Sequence, residues 1–493
     1  MPRFLAIDQS TSATKALLFD AAGRVLDRES REHRQHYPQP GWVEHDPSEI
    51  RANTFAALKA LLVRHRGSLD DIRSLSLTNQ RETVVVFDRK TGEPLAPAVV
   101  WQCRRGSPLC DAHIEAGHGD LVAQRTGLRL DPYFSASKLQ WLVENDATVA
   151  ARLADGSAAA GTVDTFLIHA LTGGKVLATD HTNACRTLLY NIDTLGWDED
   201  LCGMWKVPRR ALPEIRGSTA AFGETDLGGL LPRAIPIQGV MGDSHASLLA
   251  QRCFEPGAAK VTFGTGSSIL MTLGPQRRDS ARGVLTTLAW VHDGKPTYAF
   301  EGIIISSAST LVWLRDQLGI LPGVAEAESI ARSLPDNGGV YLVPAFTGLG
   351  LPHWKPDARA ALTGLSTQSD RRHVVRAALE SIAYQLRDAL DATAEDAGAP
   401  VRAVHGDGGP TANSFLMQFT ADITGVELRA AGAPGGSALG AVLAGMWGAG
   451  RLDGPAAIAA LPRDERVYTP QLPEAEAARL YNGWLHALRQ TLA

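Results

Sequence analysis

The chain of 493 residues contains few cysteines and few aromatic residues, and its charges nearly cancel. Its five cysteines are scattered and odd in number, which argues against a disulfide-stabilised secreted domain and favours free thiols in a reducing compartment. The formal net charge of −5 provides no basic surface for nucleic acid or for an anionic membrane. We therefore expect no nucleic-acid partner.

The sequence also lacks a long apolar run. The longest one, at 438–449, is well below the roughly 20 residues that span a bilayer. Near the N-terminus, Asp8 interrupts the apolar segment too early for a signal peptide. We expect no membrane insertion and a cytoplasmic location. With 44% hydrophobic and 20% charged residues, the chain is suited to two or three globular domains.

One arrangement of strand, small polar loop and strand occurs twice, about half a chain apart. The first copy has its loop at 9–14, and the second has its loop at 264–268. Alternating helical and strand-like patterns lie between the copies. The repetition predicts two α/β domains built on one plan, at residues 1–247 and 248–493.

Hydroxyl and glycine residues fill these two loops. Backbone N–H groups and hydroxyls in the first loop, such as those of Thr11 and Ser12, can bind phosphate in a tight turn. Gly264 and Gly266 let the second loop approach phosphate oxygens closely. A third glycine-rich segment lies at 405–410. Each loop alone is also compatible with an ordinary hairpin turn, and the absence of a Walker-type motif excludes a P-loop enzyme.

Two aspartates, Asp8 and Asp243, each follow an apolar, strand-like run. Carboxylates at strand ends lie where open α/β sheets bind their ligands. One of them could hold Mg²⁺ while the other accepts a hydroxyl proton, which is the minimum for phosphoryl transfer. The spacing alone leaves open the alternative that both are ordinary turn residues.

Several segments resemble the FGGY family of carbohydrate kinases. Two of them, at 133–145 and 360–380, match the signature segments of that family. Blocks most similar to its glycerol kinases are PGWVEHDP at 40–47, NQRET at 79–83, WQCRR at 101–105, GTVDT at 161–165 and VPAFTGLG at 343–350. The resemblance runs nearly end to end. It implies an α/β fold of two actin/hexokinase-like (ribonuclease H-like) domains with an intervening cleft.

The resemblance also implies an activity, namely transfer of a phosphoryl group from ATP, with Mg²⁺, to a primary hydroxyl of glycerol to give sn-glycerol 3-phosphate and ADP. Asp243 would then be the catalytic base, and Asp8 with Asp243 would organise the metal. The implied substrate-binding residues are Arg81, Glu82, Trp101, Tyr133, Asp243 and Ser244. The implied nucleotide-binding residues are Thr11, Ser12, Lys15, Thr265, Gly266, Gly409 and Asn413.

Among the positions that depart from the glycerol kinase pattern, two line the implied substrate pocket. Ser244 stands where glutamine is usual, and Ser268 stands where phenylalanine is usual. Both serines are shorter than the usual residue, and Ser268 replaces an apolar side chain with a hydroxyl. The resulting pocket would be larger and more polar, and it could take a longer polyol or a ketose, such as a tetritol, tetrulose or pentulose. The segment 228–234 lacks the loop associated with inhibition by fructose bisphosphate, so we expect no such control. The resemblance is compatible with a homodimer or homotetramer.

Chaperones and filament proteins that use ATP share the same domain plan, but they do not need the blocks that build a polyol pocket.

Local sequence signals predict further structural elements. Asp46 and Pro47 begin a helix, and a long helix begins after Asp370 and ends at Gly398. We expect His33, His36 and His45, which lie in a polar stretch, at the surface.

Overall fold

The computed structural model describes residues 1–432 and 435–493. Two mixed β-sheets dominate it, one in each half of the chain. The strands of the first sheet, in spatial order, are Ala221–Thr225, Ile235–Gly242, Ile72–Asn79, Arg3–Gln9, Ala13–Asp20 and Val25–Glu32. Those of the second sheet are Leu285–His292, Lys295–Ile304, Ser267–Gly274, Ala258–Phe263, Ala403–Asp407, Leu428–Ala431 and Glu465–Tyr468.

The two sheets share one central arrangement. In the first sheet, Arg3–Gln9 pairs antiparallel with the next strand of the chain and parallel with Ile72–Asn79. In the second sheet, Ala258–Phe263 likewise pairs antiparallel with the next strand and parallel with Ala403–Asp407. The repeat predicted from the sequence is therefore present, and each polar loop connects the two strands of a hairpin.

Helices and short strands surround the sheets. The α-helices are Pro47–Arg64, Ser107–Glu115, Gly119–Thr126, Ser135–Asn145, Ala147–Asp155, Val163–Leu171, His181–Ala184, Glu199–Met204, Asp243–Ala250, Ser309–Asp316, Ala327–Arg332, Arg371–Ala397, Ser414–Thr424, Gly436–Gly448, Pro455–Ala459 and Glu474–Leu492. The short strands are Glu44–His45, Val84–Asp88, Ala98–Val99, Ala158–Thr162, Ala178–Asp180, Tyr190–Asn191, Gly196–Trp197, Glu214–Arg216, Tyr341–Val343 and Ala361–Thr363.

The predicted helix ends are confirmed. The Asp46 side chain accepts a hydrogen bond from the backbone N–H of Ser48, and Pro47 occupies the first helical position. Asp370 caps the helix Arg371–Ala397 in the same way, and Gly398 ends it in the left-handed conformation. These ends depend on side chains that are adjacent in the sequence, which is why local patterns predict them.

Two helices connect the halves. Asp243–Ala250 directly follows a strand of the first sheet, yet it also packs against strands of the second sheet. Gly436–Gly448 packs on Asp243–Ala250 and on the first sheet, although it lies late in the chain. This second helix contains most of the apolar run at 438–449, and it is apolar because both halves cover it. Among the described residues, no helix is both long enough and apolar enough to cross a membrane.

The buried residues include polar groups that the sequence misplaced. The expectation of surface histidines is wrong for His33 and His45, which are buried with their rings in edge-to-face contact at 4.8 Å. Each ring bonds to a backbone carbonyl: His33 Nε2 lies 3.0 Å from the oxygen of Thr11, and His45 Nδ1 lies 3.0 Å from the oxygen of Arg34. Cys103 and the other four cysteines are unpaired, as predicted, and all five are buried.

Candidate active site

A cavity of about 620 Å³ lies between the two halves of the chain. Its lining from the first half consists of Thr11, Gln80, Arg81, Glu82, Trp101, Gln102, Tyr133, Asp243 and Ser244. Its lining from the second half consists of Thr262, Thr265, Gly266, Ser267, Ser268, Glu301, Ile303, Ile304 and Ile305. Every residue predicted to bind the substrate therefore lies on the wall of one cavity, which we call the polar cavity.

Asp243 lies where the strand Ile235–Gly242 ends and the helix Asp243–Ala250 begins. A helix N-terminus favours a negative charge. The Oδ1 of Asp243 lies 3.5 Å from the Nε of Arg81. This approach needs glycine at position 242, because a Cβ there would lie 2.7 Å from the Cγ of Arg81. The depth of the site raises the pKa of Asp243 to about 6, although Arg81 opposes the shift.

Glu82 has a backbone conformation that is rare for a residue with a side chain. Its φ angle is +62°, in the left-handed region, and such strain persists only where the surroundings impose it. The Ser135 hydroxyl donates to the Glu82 carbonyl at 3.0 Å, and Arg186 Nε donates to its carboxylate at 2.7 Å. The strained backbone and these two bonds set the direction of the Glu82 side chain beside Arg81.

Two arginines and two glutamates form a buried quartet of charges beneath the polar cavity: Arg81, Glu82, Arg186 and Glu301. Each is at most 5% exposed, and the net charge of the set is zero. Sequence reasoning missed Arg186 and Glu301. Each of these two residues is a lone charge in a largely apolar stretch of the sequence. That pattern could have identified them, since such charges are rarely buried without a partner.

Trp101 and Tyr133 form an aromatic wall of the polar cavity, with their rings in edge-to-face contact at 5.5 Å. The loop that carries Tyr133 is held by Lys138, another residue that sequence reasoning missed. Its Nζ donates to the backbone carbonyls of Pro132, Tyr133 and Phe134 at 2.6 to 2.9 Å. Because Lys138 is fully buried, these bonds satisfy its ammonium group and stabilise the position of Tyr133.

A second cavity, of about 680 Å³ and mainly apolar, lies within the second half and meets the polar cavity at Thr265. It is lined by Phe263, Gly264, Thr265, Ala308, Ser309, Leu311, Val312, Val324, Ala325, Glu328, Leu379, Gly409, Pro410, Ala412, Asn413 and Leu416. Five of the seven predicted nucleotide-binding residues therefore line one or both cavities, namely Thr11, Thr265, Gly266, Gly409 and Asn413. We call it the apolar cavity.

The loop between the cavities has little room for side chains. A Cβ at Gly266 would lie 2.5 Å from the carbonyl oxygen of Ile304, so the loop backbone itself forms the cavity wall. Ser307 N and Ala308 N donate to the carbonyls of Thr265 and Gly264 at 2.9 and 3.0 Å. These bonds hold the second loop against the start of the helix Ser309–Asp316.

Among the predicted site residues in and beside the first loop, only Thr11 lies on a cavity wall. Thr11 lines the polar cavity, whereas Asp8, Ser12 and Lys15 do not appear in the lining of either cavity. Asp8 is buried, and it faces Lys15 across the hairpin, where Nζ donates to Oδ2 at 3.2 Å. Ser12 is exposed.

The donor set is suited to Mg²⁺. Mg²⁺ prefers carboxylate oxygens, and it usually binds one or two of them together with substrate phosphates. Asp8 pairs with Thr78, and Gly242 pairs with Asn79 on the other side of the same strand, so Asp8 and Asp243 lie at the same end of the first sheet. In the part of the chain that the structure describes, no cluster of three or more histidine, cysteine or acidic ligands occurs. Two carboxylates therefore fit a metal whose other ligands come from a nucleotide.

Comparison with known families identifies the class of protein. Residues 3–250 match the N-terminal domain of the FGGY family of carbohydrate kinases, and residues 259–449 match its C-terminal domain. The chain belongs to the FGGY family of carbohydrate kinases. The predicted family, the two-domain fold and the assignment as an alcohol phosphotransferase are confirmed.

Individual relatives are more specific. The chain is 45% identical to the glycerol kinase of Leptothrix cholodnii over 497 residues, which covers 100% of both. It is 42% identical to that of Desulfitobacterium hafniense over 488 residues, 99% of each. The crystal structure of Plasmodium falciparum glycerol kinase with ADP superposes with a TM-score of 0.95 at 33% identity, covering 100% of this chain and 99% of that one. A xylulose kinase from Lactobacillus acidophilus, 21% identical with a TM-score of 0.88, shares the fold.

Proposed function

We propose that the protein transfers the γ-phosphoryl group of ATP to a primary hydroxyl of glycerol, forming sn-glycerol 3-phosphate and ADP. The observation that carries this proposal is the polar cavity, whose wall combines Arg81, Glu82 and Asp243 with the rings of Trp101 and Tyr133. The glycerol kinases among the relatives, one of them crystallised with ADP, support the choice of substrates.

The polar cavity offers complementary partners for a small polyol. Arg81 donates hydrogen bonds to hydroxyl oxygens, Glu82 accepts them from hydroxyl protons, and Trp101 covers the C–H face. Asp243 orients the reacting hydroxyl and accepts its proton as the phosphoryl group is transferred. With a pKa of about 6, its carboxylate is ionised at neutral pH and more basic than that of an ordinary aspartate.

We assign the adenosine of ATP to the apolar cavity, where Gly409 and Asn413 lie. Two loops would hold the phosphates with backbone N–H groups, hydroxyls and one ammonium group. The first loop carries Thr11, Ser12 and Lys15, and the second carries Thr265 and Gly266. Asp8 and Asp243 would hold Mg²⁺, which when bound neutralises phosphate charge.

We place the domain division between residues 247 and 248. The cytoplasmic location and the homodimer or homotetramer stay predictions.

The proposed reaction is tested by incubating the purified protein with glycerol, ATP and Mg²⁺. We expect release of ADP that depends on glycerol, and a glycerol phosphate product identified by mass and by ³¹P NMR. Omission of glycerol is the control, since an active site that excludes water hydrolyses little ATP. Absence of any ADP release that depends on a polyol or sugar would overturn the proposal.

A longer polyol or a ketose is a second candidate substrate, and Ser268 favours it. Ser268 lies on the polar cavity, and its hydroxyl has no hydrogen-bond partner among the described residues. A further substrate hydroxyl would supply that partner. Comparison of kcat/KM for glycerol with the values for tetritols, tetruloses and pentuloses decides between the candidates. A value for glycerol far below that for another substrate would exclude glycerol as the main one.

A further inference from the structure

One carboxylate of the quartet comes from the opposite half of the molecule. Arg81, Glu82 and Arg186 belong to the first half, whereas Glu301 lies on the strand Lys295–Ile304 of the second sheet. We propose that Glu301 is a positioning residue, which holds Arg81 in place from the second half and thereby makes the polyol site complete only when the two halves are together. This inference rests on the proposed function of the polar cavity.

The geometry gives Glu301 control over the orientation of Arg81. Its Oε1 accepts from Nη2 of Arg81 at 2.8 Å, and its Oε2 accepts from Nη1 at 3.3 Å. Two parallel bonds of this kind fix the plane of a guanidinium group, which a single bond does not. They occupy the far edge of the group, so that its Nε edge faces Asp243.

The charges lead to the same conclusion. Arg186 also approaches Glu301, with Nη1 at 2.5 Å from Oε2, so that one carboxylate lies against two buried guanidinium groups. Without that charge, only Glu82 would face Arg81 and Arg186, and one of the two buried positive charges would be left without compensation. Arg81 would then turn toward Asp243, which is the nearest other carboxylate. A substrate hydroxyl would have to compete with that ion pair.

Glu301 is itself held rigidly. It is 1% exposed, and its strand pairs on both sides, with Leu270 and Leu285 opposite it. Ile303, two residues further on, lies on the same face of the strand and also lines the polar cavity. Because its backbone belongs to the second sheet, any separation of the halves would withdraw Glu301 from Arg81.

The test compares three variants of the full-length protein. Glu301→Gln removes the charge, and Glu301→Asp keeps the charge with a shorter reach. Glu380→Gln is the matched control, since Glu380 is equally buried and accepts from Arg376 at 2.7 Å but lies outside both cavities. We expect Glu301→Gln to raise KM for the polyol tenfold or more, with KM for ATP within twofold. Glu301→Asp should recover part of the loss, and Glu380→Gln should lower Tm without changing either KM.

A crystal structure of Glu301→Gln supplies a readout that needs no activity. We expect the Arg81 guanidinium to leave its observed place and approach Asp243. An unmoved Arg81, or an unchanged KM for the polyol in a folded variant, would overturn the proposal. If Glu301→Gln does not fold, the same measurements on Glu301→Asp decide. A wild-type protein that phosphorylates no polyol would refute the proposed function, while the position of Arg81 in the variant would still test this inference.

Discussion

The indole Nε1 of Trp101 donates a hydrogen bond of 3.0 Å to the hydroxyl of Thr11. Trp101 belongs to the aromatic wall of the polar cavity, and Thr11 belongs to the first loop, which we assign to phosphate. The bond therefore joins the proposed sites of the two substrates directly.

Trp101→Phe keeps an aromatic ring but removes this donor. We expect KM for both glycerol and ATP to rise about fivefold, since a hydrogen bond is worth about 1 kcal/mol. Thr11→Val should have the same effect. The double variant should be no worse than either single variant, because both substitutions remove the same hydrogen bond. Steady-state kinetics of the three variants measure this, and effects that simply add would contradict it.

Asp243→Asn removes the proton acceptor while preserving the size of the side chain. We expect kcat to fall about 10²- to 10⁴-fold, with little change in KM for glycerol. Asp316→Asn, the same substitution at an exposed position outside both cavities, is the control and should retain kcat. Turnover of Asp243→Asn close to that of the wild type would refute the role of this residue.

Ala412→Trp should block the apolar cavity from its rim. Ala412 is exposed and lines that cavity, so the larger ring can enter it without disturbing the core. We expect KM for ATP to rise at least tenfold and KM for glycerol to stay unchanged. Ala116→Trp, at an exposed position outside both cavities, is the control. An unchanged KM for ATP would place the adenosine elsewhere.

Ser268→Phe should narrow the polar cavity. If a longer polyol or a ketose is the better substrate, kcat/KM for it should fall at least tenfold more than kcat/KM for glycerol, because the ring occupies the space of the additional carbons. Ser268→Ala removes the hydroxyl without filling that space, and it separates polarity from size. Equal losses for all substrates would show that Ser268 does not select between them.

Buried neutral histidines should make the protein sensitive to acid. Burial lowers the pKa of His45 and of His181 to about 4, against about 6.5 in the unfolded chain. Since the unfolded state takes up protons first, stability should fall as the pH drops from 6.5 to 4, by about 2 kcal/mol per histidine at pH 5. Urea unfolding at pH 7 and pH 5 measures the loss, and His45→Gln should lose less than the wild type. A wild-type stability that does not fall would contradict the prediction.

Much of the site could be predicted because its residues lie in short, distinctive segments. Arg81 and Glu82 are adjacent in NQRET, and all the residues predicted to bind the substrate line one cavity. Glu301 and Arg186 could not be assigned in this way, since their role depends on partners 220 and 104 residues away in the chain. The prediction that His33 and His45 lie at the surface failed for a related reason, because a polar stretch does not reveal which carbonyls elsewhere in the chain its side chains contact.

The amino-acid order alone determined the repeated strand–loop–strand units, the ends of the major helices and the small, polar composition of both hairpin loops. Each of these follows from backbone preferences and hydrogen bonds between near neighbours. Only the tertiary structure decided that the helix Gly436–Gly448 returns to the first sheet, and that a carboxylate of the second sheet holds Arg81. Contacts of that kind arise from packing and charge pairing between distant parts of the chain, which no local pattern records.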